Sequence, residues 1–374
     1  MTNSKYTTRR LVSQIGDGGT LALRIVEAAL PAPQPGEIQL EIEAAPLHPS
    51  DMGMMLLAAD VARAERASSG TVVIPIPEFA QALMQARLAT PLPLGNEGAG
   101  IVRAAGDAAG EAWIGRRVAA FGGGMYASHR IIRRDAATLL PEGTSARDGA
   151  AISVNPLTAL AMVEVMRQSH AKALVHTAAA SSLGQMLQRV CAQDGIALVN
   201  IVRRPEQAAV LRALGATHVL DSSDPAFDAQ MVTAFAEVNA TLAFDAVGGG
   251  PLAGALLTAM EAAQQHRNPS GSFYGSAEHK QVYIYGRLNP GPTSVPPSVG
   301  MAWSVGGFLL PHFLAGASAE VAQRMTARVL AELTTNFAIN YTAEISLTDF
   351  LDPRVLQQAT AKSTNAKFLL RPNN

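Results

Sequence analysis

The chain has 374 residues, of which 48% are apolar and 16% charged, with a formal net charge of −1 and a single cysteine, Cys191. That length suggests two domains with sizeable cores. The charge gives no footprint for nucleic acid or a membrane surface, and one cysteine excludes an internal disulfide and a cysteine-rich zinc lobe. The opening MTNSKYTTRRL has no apolar core of a secretory leader, and no apolar run reaches the roughly 20 residues a spanning helix needs. The expectation is a cytoplasmic protein.

In chain order, residues 8–45 read as short alternating strands (RRLVSQI, ALRIVEAAL, EIQLEIEAA), with PAPQPGE as a turn. Residues 96–140 repeat that character. Between them, MMLLAADVARAERA and EFAQALMQARLA have helical spacing around TVVIPIP, which suggests a helical insertion over about 54–90. Its apolar residues Met54, Met55, Leu56, Leu57, Phe79, Leu83 and Met84 either favour a hydrophobic substrate or pack on themselves. From about residue 156, strands and helices alternate (ALVHTA, a helix from Ser182, ALVNIVR, a helix from Pro205, and onward). That rhythm specifies βαβ units and a parallel sheet covered on both faces. The final run, ending in AKFLLRP, is expected to return to the β-domain. The domain reading is therefore 1–154, 155–310 and a returning segment 311–374.

The turn AAASSLG lies between the first strand of the α/β half and its helix. A dinucleotide fold carries G-x-G-x-x-G there, so that pyrophosphate meets a helix N-terminus. Here the three positions are Ala179, Ser181 and Gly184, so one glycine remains. The alternative is a plain packing turn, but residues 178–182 stay small enough for close backbone approach to a phosphate, and Ser181 and Ser182 carry hydroxyls. At the end of the next strand, where an NAD binder places a carboxylate for the ribose, stand Arg203 and Arg204. Guanidinium suits a 2′-phosphate, which favours NADP(H) over NAD(H). The alternative is a solvated arginine pair at a helix start.

Together the segments APLHPSD (45–51), PLGNEGAG (93–100), ISVNPLTAL (152–160), AAASSLG (178–184), LRALGATHVLD (211–221), FDAVGG (244–249), YGRL (285–288) and NAKFLL (365–370) resemble the medium-chain dehydrogenase/reductase superfamily, in its zinc-free quinone oxidoreductase and enoyl reductase branch. The resemblance implies an α/β fold: a Rossmann doubly wound parallel sheet plus a GroES-like β-domain. It implies that Asn155 and Thr158 meet the nicotinamide ribose and phosphate region, Ser181, Ser182, Leu183 and Gly184 the pyrophosphate, and Arg203 and Arg204 the 2′-phosphate. Tyr285, Gly286, Phe308 and Leu309 would lie on the nicotinamide side, with Lys367 reaching in from the C-terminal segment. It also implies a homodimer, for which VYIYGRL is a candidate edge strand. Where zinc enzymes of the superfamily read Gly-His-Glu, this chain has Asn96, and Asp51 with Glu97 make a poor zinc site, so no metal is expected. His176, in the first Rossmann strand, is expected in the core.

The implied reaction is hydride transfer from NADPH to a quinone or an α,β-unsaturated carbonyl, a hydrophobic small molecule. Enoyl-thioester reduction is the alternative, although the tyrosine of that branch is missing: no Tyr lies between Asp51 and Gly95. Tyr126 is a candidate proton donor by location. A crystallin-like cofactor-binding or RNA-binding role without turnover is a further alternative, with little basic surface to support it.

Overall fold

The computed structural model describes residues 6–16, 18–81, 87–88, 90–269, 271–361 and 367–374. They form two compact units, residues 1–154 with 338–374, and residues 155–337.

The first unit is built on ten early strands: β1 Tyr6–Gly16, β2 Thr20–Leu30, β3 Glu37–Pro46, β4 Glu65–Arg66, β5 Val72–Pro75, β6 Leu92–Pro93, β7 Glu97–Ala105, β8 Arg117–Phe121, β9 His129–Arg133 and β10 Ala137–Leu139. Strands β4-β5-β2-β1-β6 make one sheet. The second runs β10-β8-β7-β3 and continues into two late strands, β20 (Phe368–Leu370) and β19 (Ala343–Ile345), with β9 also on β3. Alternation drives this packing: Leu21, Leu23, Ile38, Leu40 and Ile42 point inward and are wholly buried with Leu11, Ile74, Val102 and Val118.

The insertion is not the helical appendage that its spacing suggests. Helix Pro49–Leu56 stops where Leu57 turns to φ 52°, and Asp60 then caps a single 3-10 turn, Val61–Arg63. TVVIPIP becomes β5, pairing antiparallel with β2, and so belongs to the sheet. β-branched residues able to pair outweigh the alanine-rich spacing here. EFAQ forms a short helix, Glu78–Gln81. Leu83 and Met84 lie outside the described residues.

The second unit holds the strands β11 Ala173–His176, β12 Ala197–Val202, β13 His218–Asp221, β14 Leu242–Asp245, β15 Gly248–Gly250, β16 Lys280–Ile284, β17 Asn289–Thr293 and β18 Trp303–Gly307. Six are parallel in the order β13-β12-β11-β14-β16-β18, the 3-2-1-4-5-6 order of a Rossmann sheet. Every residue of β11 and β14 is buried, as a sheet covered on both faces requires. The expected fold class is borne out.

Two expectations are corrected. VYIYGRL begins on β16, which is an interior strand between β14 and β18; the edges of the sheet are β13 and β18. Residues 311–337 do not return to the β-domain. Their long helix, Ala319–Ala331, stays with the second unit, where Arg328 grips Asp194 through two nitrogens at 2.7 and 2.8 Å and Arg324 bonds Glu164 at 3.0 Å. The return begins at Ala338. Among the described residues no helix is long and apolar enough to cross a membrane.

Candidate functional site

In the second unit, β11 sits between β12 and β14, where the strand order reverses. Open α/β sheets bind ligands at such a point, beyond the carboxyl ends of the strands. The crossover from β11 to helix Ser182–Asp194 occupies it. Thr177 N–H donates to the Phe244 carbonyl and Ala179 N–H to that of Ile201, both at 3.1 Å, so the turn is tied to β14 on one side and β12 on the other. Ala178 takes φ 50° to make the bend. Ser181 caps the helix, its Oγ accepting from Gly184 N–H at 3.2 Å. A Cβ on Gly184 would lie 2.1 Å from the Ala179 carbonyl oxygen, so only glycine lets the helix come this close. That is the packing role of the third fingerprint glycine. Ala179 and Ala180 are buried, while Ser181 and Ser182 are less so.

Arg203 and Arg204 follow β12 directly and are exposed; neither forms an ion pair among the described residues. The tie from Ala179 to Ile201 brings the crossover to the end of their strand. Crossover, helix N-terminus and arginine pair therefore form one surface with donors and positive charge, able to hold a phosphorylated dinucleotide.

A buried carboxylate that the sequence reading did not single out organises the wall. Asp245, 0% exposed, accepts from Thr177 Oγ1 (2.7 Å) and from the N–H groups of Val247 (2.9 Å) and Gly248 (3.0 Å). The same hydroxyl of Thr177 accepts from Ala246 N–H at 2.8 Å. The signal was present in the sequence as an acid at the end of an apolar strand before VGG. Beside it, Tyr285 stacks on His176 and hydrogen-bonds it. Gly286 packs on Ala246, whose carbonyl oxygen would be 2.5 Å from an added Cβ. Phe308 meets Phe244 edge-on at 5.2 Å between ring centres, so it is packing, whereas Leu309 is exposed. Asn155 and Thr158 lie one turn apart on helix Val154–Gln168, Thr158 being buried. His176 is a core residue, as expected.

The first unit holds its own polar cluster. His48 begins helix Pro49–Leu56; its N–H donates to Asp51 Oδ2 at 2.9 Å and its Nε2 lies 2.6 Å from Glu97 Oε1. Glu97 Oε2 accepts from Ser153 and Val154 N–H, and Asp51 Oδ1 from Asn96 N–H. Burial alone would lower the His48 pKa, but the hydrogen bond to Glu97 and the charges of Glu97 and Asp51 outweigh it and raise it. Burial raises Asp51, with His48 opposing. Among the described residues no group of three metal-ligating side chains could hold a metal ion.

Tyr126 is fully buried, its ring filling the space beside Gly95 and its hydroxyl donating to the Pro46 carbonyl at 3.0 Å. Burial first, then Asp51, drive its pKa far up. It is spent on packing, which takes it out of reach as a proton donor. Lys367 sits in the first unit just before β20, its carbonyl accepting from Thr342 N–H and its own N–H donating to Thr342 Oγ1. Asn365 lies outside the described residues.

No protein-family model matches the chain. A mitochondrial enoyl-[acyl-carrier-protein] reductase of Xenopus tropicalis is 25% identical over 235 residues, 58% of this chain and 57% of that protein. A quinone oxidoreductase of Pseudomonas aeruginosa is 30% identical over 139 residues, 36% of this chain and 42% of that protein. The chain thus spans about half the length of the curated relatives it matches. A solved structure from Mesorhizobium loti that carries the name NADPH:quinone reductase superposes with a TM-score of 0.74 at 24% identity, covering 98% of both chains.

Proposed function

We propose that the chain is a member of the medium-chain dehydrogenase/reductase superfamily and acts as a zinc-independent, NADPH-dependent reductase of quinones or α,β-unsaturated carbonyls. The observation that carries this is the β11 crossover: a helix N-terminus brought within contact of the strand by Gly184, beside two exposed arginines at the end of β12. Those residues fit a dinucleotide with a 2′-phosphate and disfavour none of its parts. When bound, the nicotinamide supplies the hydride. The chain's own work is then positional: Ser181, Ser182 and Gly184 hold the pyrophosphate, Arg203 and Arg204 pair with the 2′-phosphate, and Asp245 locks the loop that the ring end would meet. Tyr285, Gly286, Leu309, Asn155 and Thr158 keep the supporting roles that the resemblance gives them.

The carbonyl or quinone substrate is a small apolar molecule, and the enzyme works in the cytoplasm as a homodimer. The edge strands of its parallel sheet, β13 and β18, are the ones available for pairing. The alternative is enoyl-thioester reduction, supported by the name of the Xenopus relative. NADPH and NADH oxidation measured against a panel of quinones, free enones and crotonyl-CoA tests both. Turnover of quinones or enones with NADPH is expected. Faster turnover of crotonyl-CoA than of the matching free enone would favour the alternative, and no turnover with any acceptor would reject both.

A further inference from the structure

Two half-buried arginines of the first unit stand together, each with a buried Nε–H that has no acceptor. Arg10 on β1 and Arg130 on β9 line the same cavity, of about 130 Å³, with Thr8, Gly124 and His129 among its walls. The Nε–H of each guanidinium is buried and has no hydrogen-bond acceptor. No residue lining the cavity carries a carboxylate, and neither arginine forms an ion pair among the described residues. An unsatisfied buried donor costs roughly 1–3 kcal/mol, more when charged, so an acceptor supplied by a ligand would relieve both.

The backbone is arranged to keep the pair in place. Arg10 bridges to Ala127, and Thr8 Oγ1 donates to the His129 carbonyl at 2.7 Å, which zips β1 along the segment that carries Arg130. Gly124, at φ 71°, lets the Arg130 guanidinium lie flat against the chain: a Cβ there would be 3.0 Å from its Cζ and Nη1. Burial, and then the nearby Arg10 charge, hold the Arg130 pKa below its ordinary value, so the like charges are felt and not neutralised by the protein.

We infer that Arg10 and Arg130 form a binding site for one small oxyanion of the phosphate class. The cavity is well below the roughly 300 Å³ of an ordinary ligand pocket, which excludes a nucleotide and fits a lone phosphate group. Two guanidiniums match its charge of about −2, and their forked donors match its oxygens. The site stands whether or not the second unit binds a dinucleotide.

The test is calorimetric titration of the full chain with inorganic phosphate at constant ionic strength, with acetate and chloride as parallel arms. Four proteins are compared: the wild type, Arg10→Gln, Arg130→Gln and Arg203→Gln/Arg204→Gln. Saturable phosphate binding is expected in the wild type and in the Arg203/Arg204 variant, lowered by about tenfold or more in each of the other two, with acetate binding weaker. Independently of folding yield, thermal melting of Arg10→Gln without phosphate is expected to match or exceed that of the wild type, because a repulsive pair is gone, and to lose the phosphate-dependent rise. The site is rejected if the wild type binds no phosphate. It is also rejected if the Arg203/Arg204 variant alone loses binding, or if phosphate raises the melting temperature of Arg10→Gln as much as that of the wild type.

Discussion

The imidazole Nε2 of His176 lies 2.8 Å from the Tyr285 hydroxyl, with the two rings stacked 5.6 Å apart, while Nδ1 is buried without a partner. Burial pulls the His176 pKa down to about 3, so the ring is neutral in the fold. Since the unfolded histidine titrates near about 6.5, the unfolded state binds the extra proton as pH falls. Stability is then lost between those two values, at about 1.4 kcal/mol per pH unit. Denaturant unfolding from pH 7 to 4 is expected to show this slope in the wild type and not in His176→Phe. Tyr285→Phe, which strips the ring of its partner, is expected to cost about 1–3 kcal/mol at pH 7.

Gly184→Ala places a methyl against the Ala179 carbonyl and must push the helix from its strand. A destabilisation of about 1–3 kcal/mol is expected, together with loss of NADPH quenching in a fluorescence titration. Unchanged coenzyme affinity would separate the crossover from the coenzyme.

Arg203→Gln/Arg204→Gln removes two exposed charges at the end of β12. Each charge-assisted bond is worth about 1.5–3 kcal/mol, so the KM for NADPH is expected to rise at least about tenfold while that for NADH hardly changes. An equal rise for both coenzymes would deny the pair its 2′-phosphate role.

Glu261 receives the wholly buried Lys280 Nζ, along with the N–H and hydroxyl of Ser276. Burial alone would raise its pKa, but the bonds from Lys280, Gln265 and Ser276 win and bring it down to about 2. The folded value lies below the unfolded one, so this stabilisation is present above about pH 4.3 and fades as the pH falls toward 2. Glu261→Gln leaves the lysine buried and unpaired, at an expected cost of about 3–5 kcal/mol near neutral pH, measured by urea unfolding.

His48 works in the opposite direction. Its folded pKa is raised, so its contribution is complete below the unfolded value of about 6.5 and disappears as the pH rises through the folded one. The melting-temperature gap between wild type and His48→Asn is expected to narrow from pH 6 to 9; a gap that widens would contradict the pair with Glu97.

Much of this was legible from residue order. Strand–helix alternation after residue 156 specified the parallel sheet because its buried strands must be continuously apolar. AAASSLG marked the crossover because only small side chains pass there, and RR after a strand end marked the site of a charge. Local spacing misled where pairing decided: TVVIPIP joined β2, and residues 54–66 largely gave up helical periodicity. The ties made across distance were beyond any local pattern. Asp245 to Thr177, His176 to Tyr285, and Arg10 beside Arg130 depend on which strands lie next to each other. Hydrogen bonding and charge act over a few ångströms in space, and only the folded chain decides which side chains come that close.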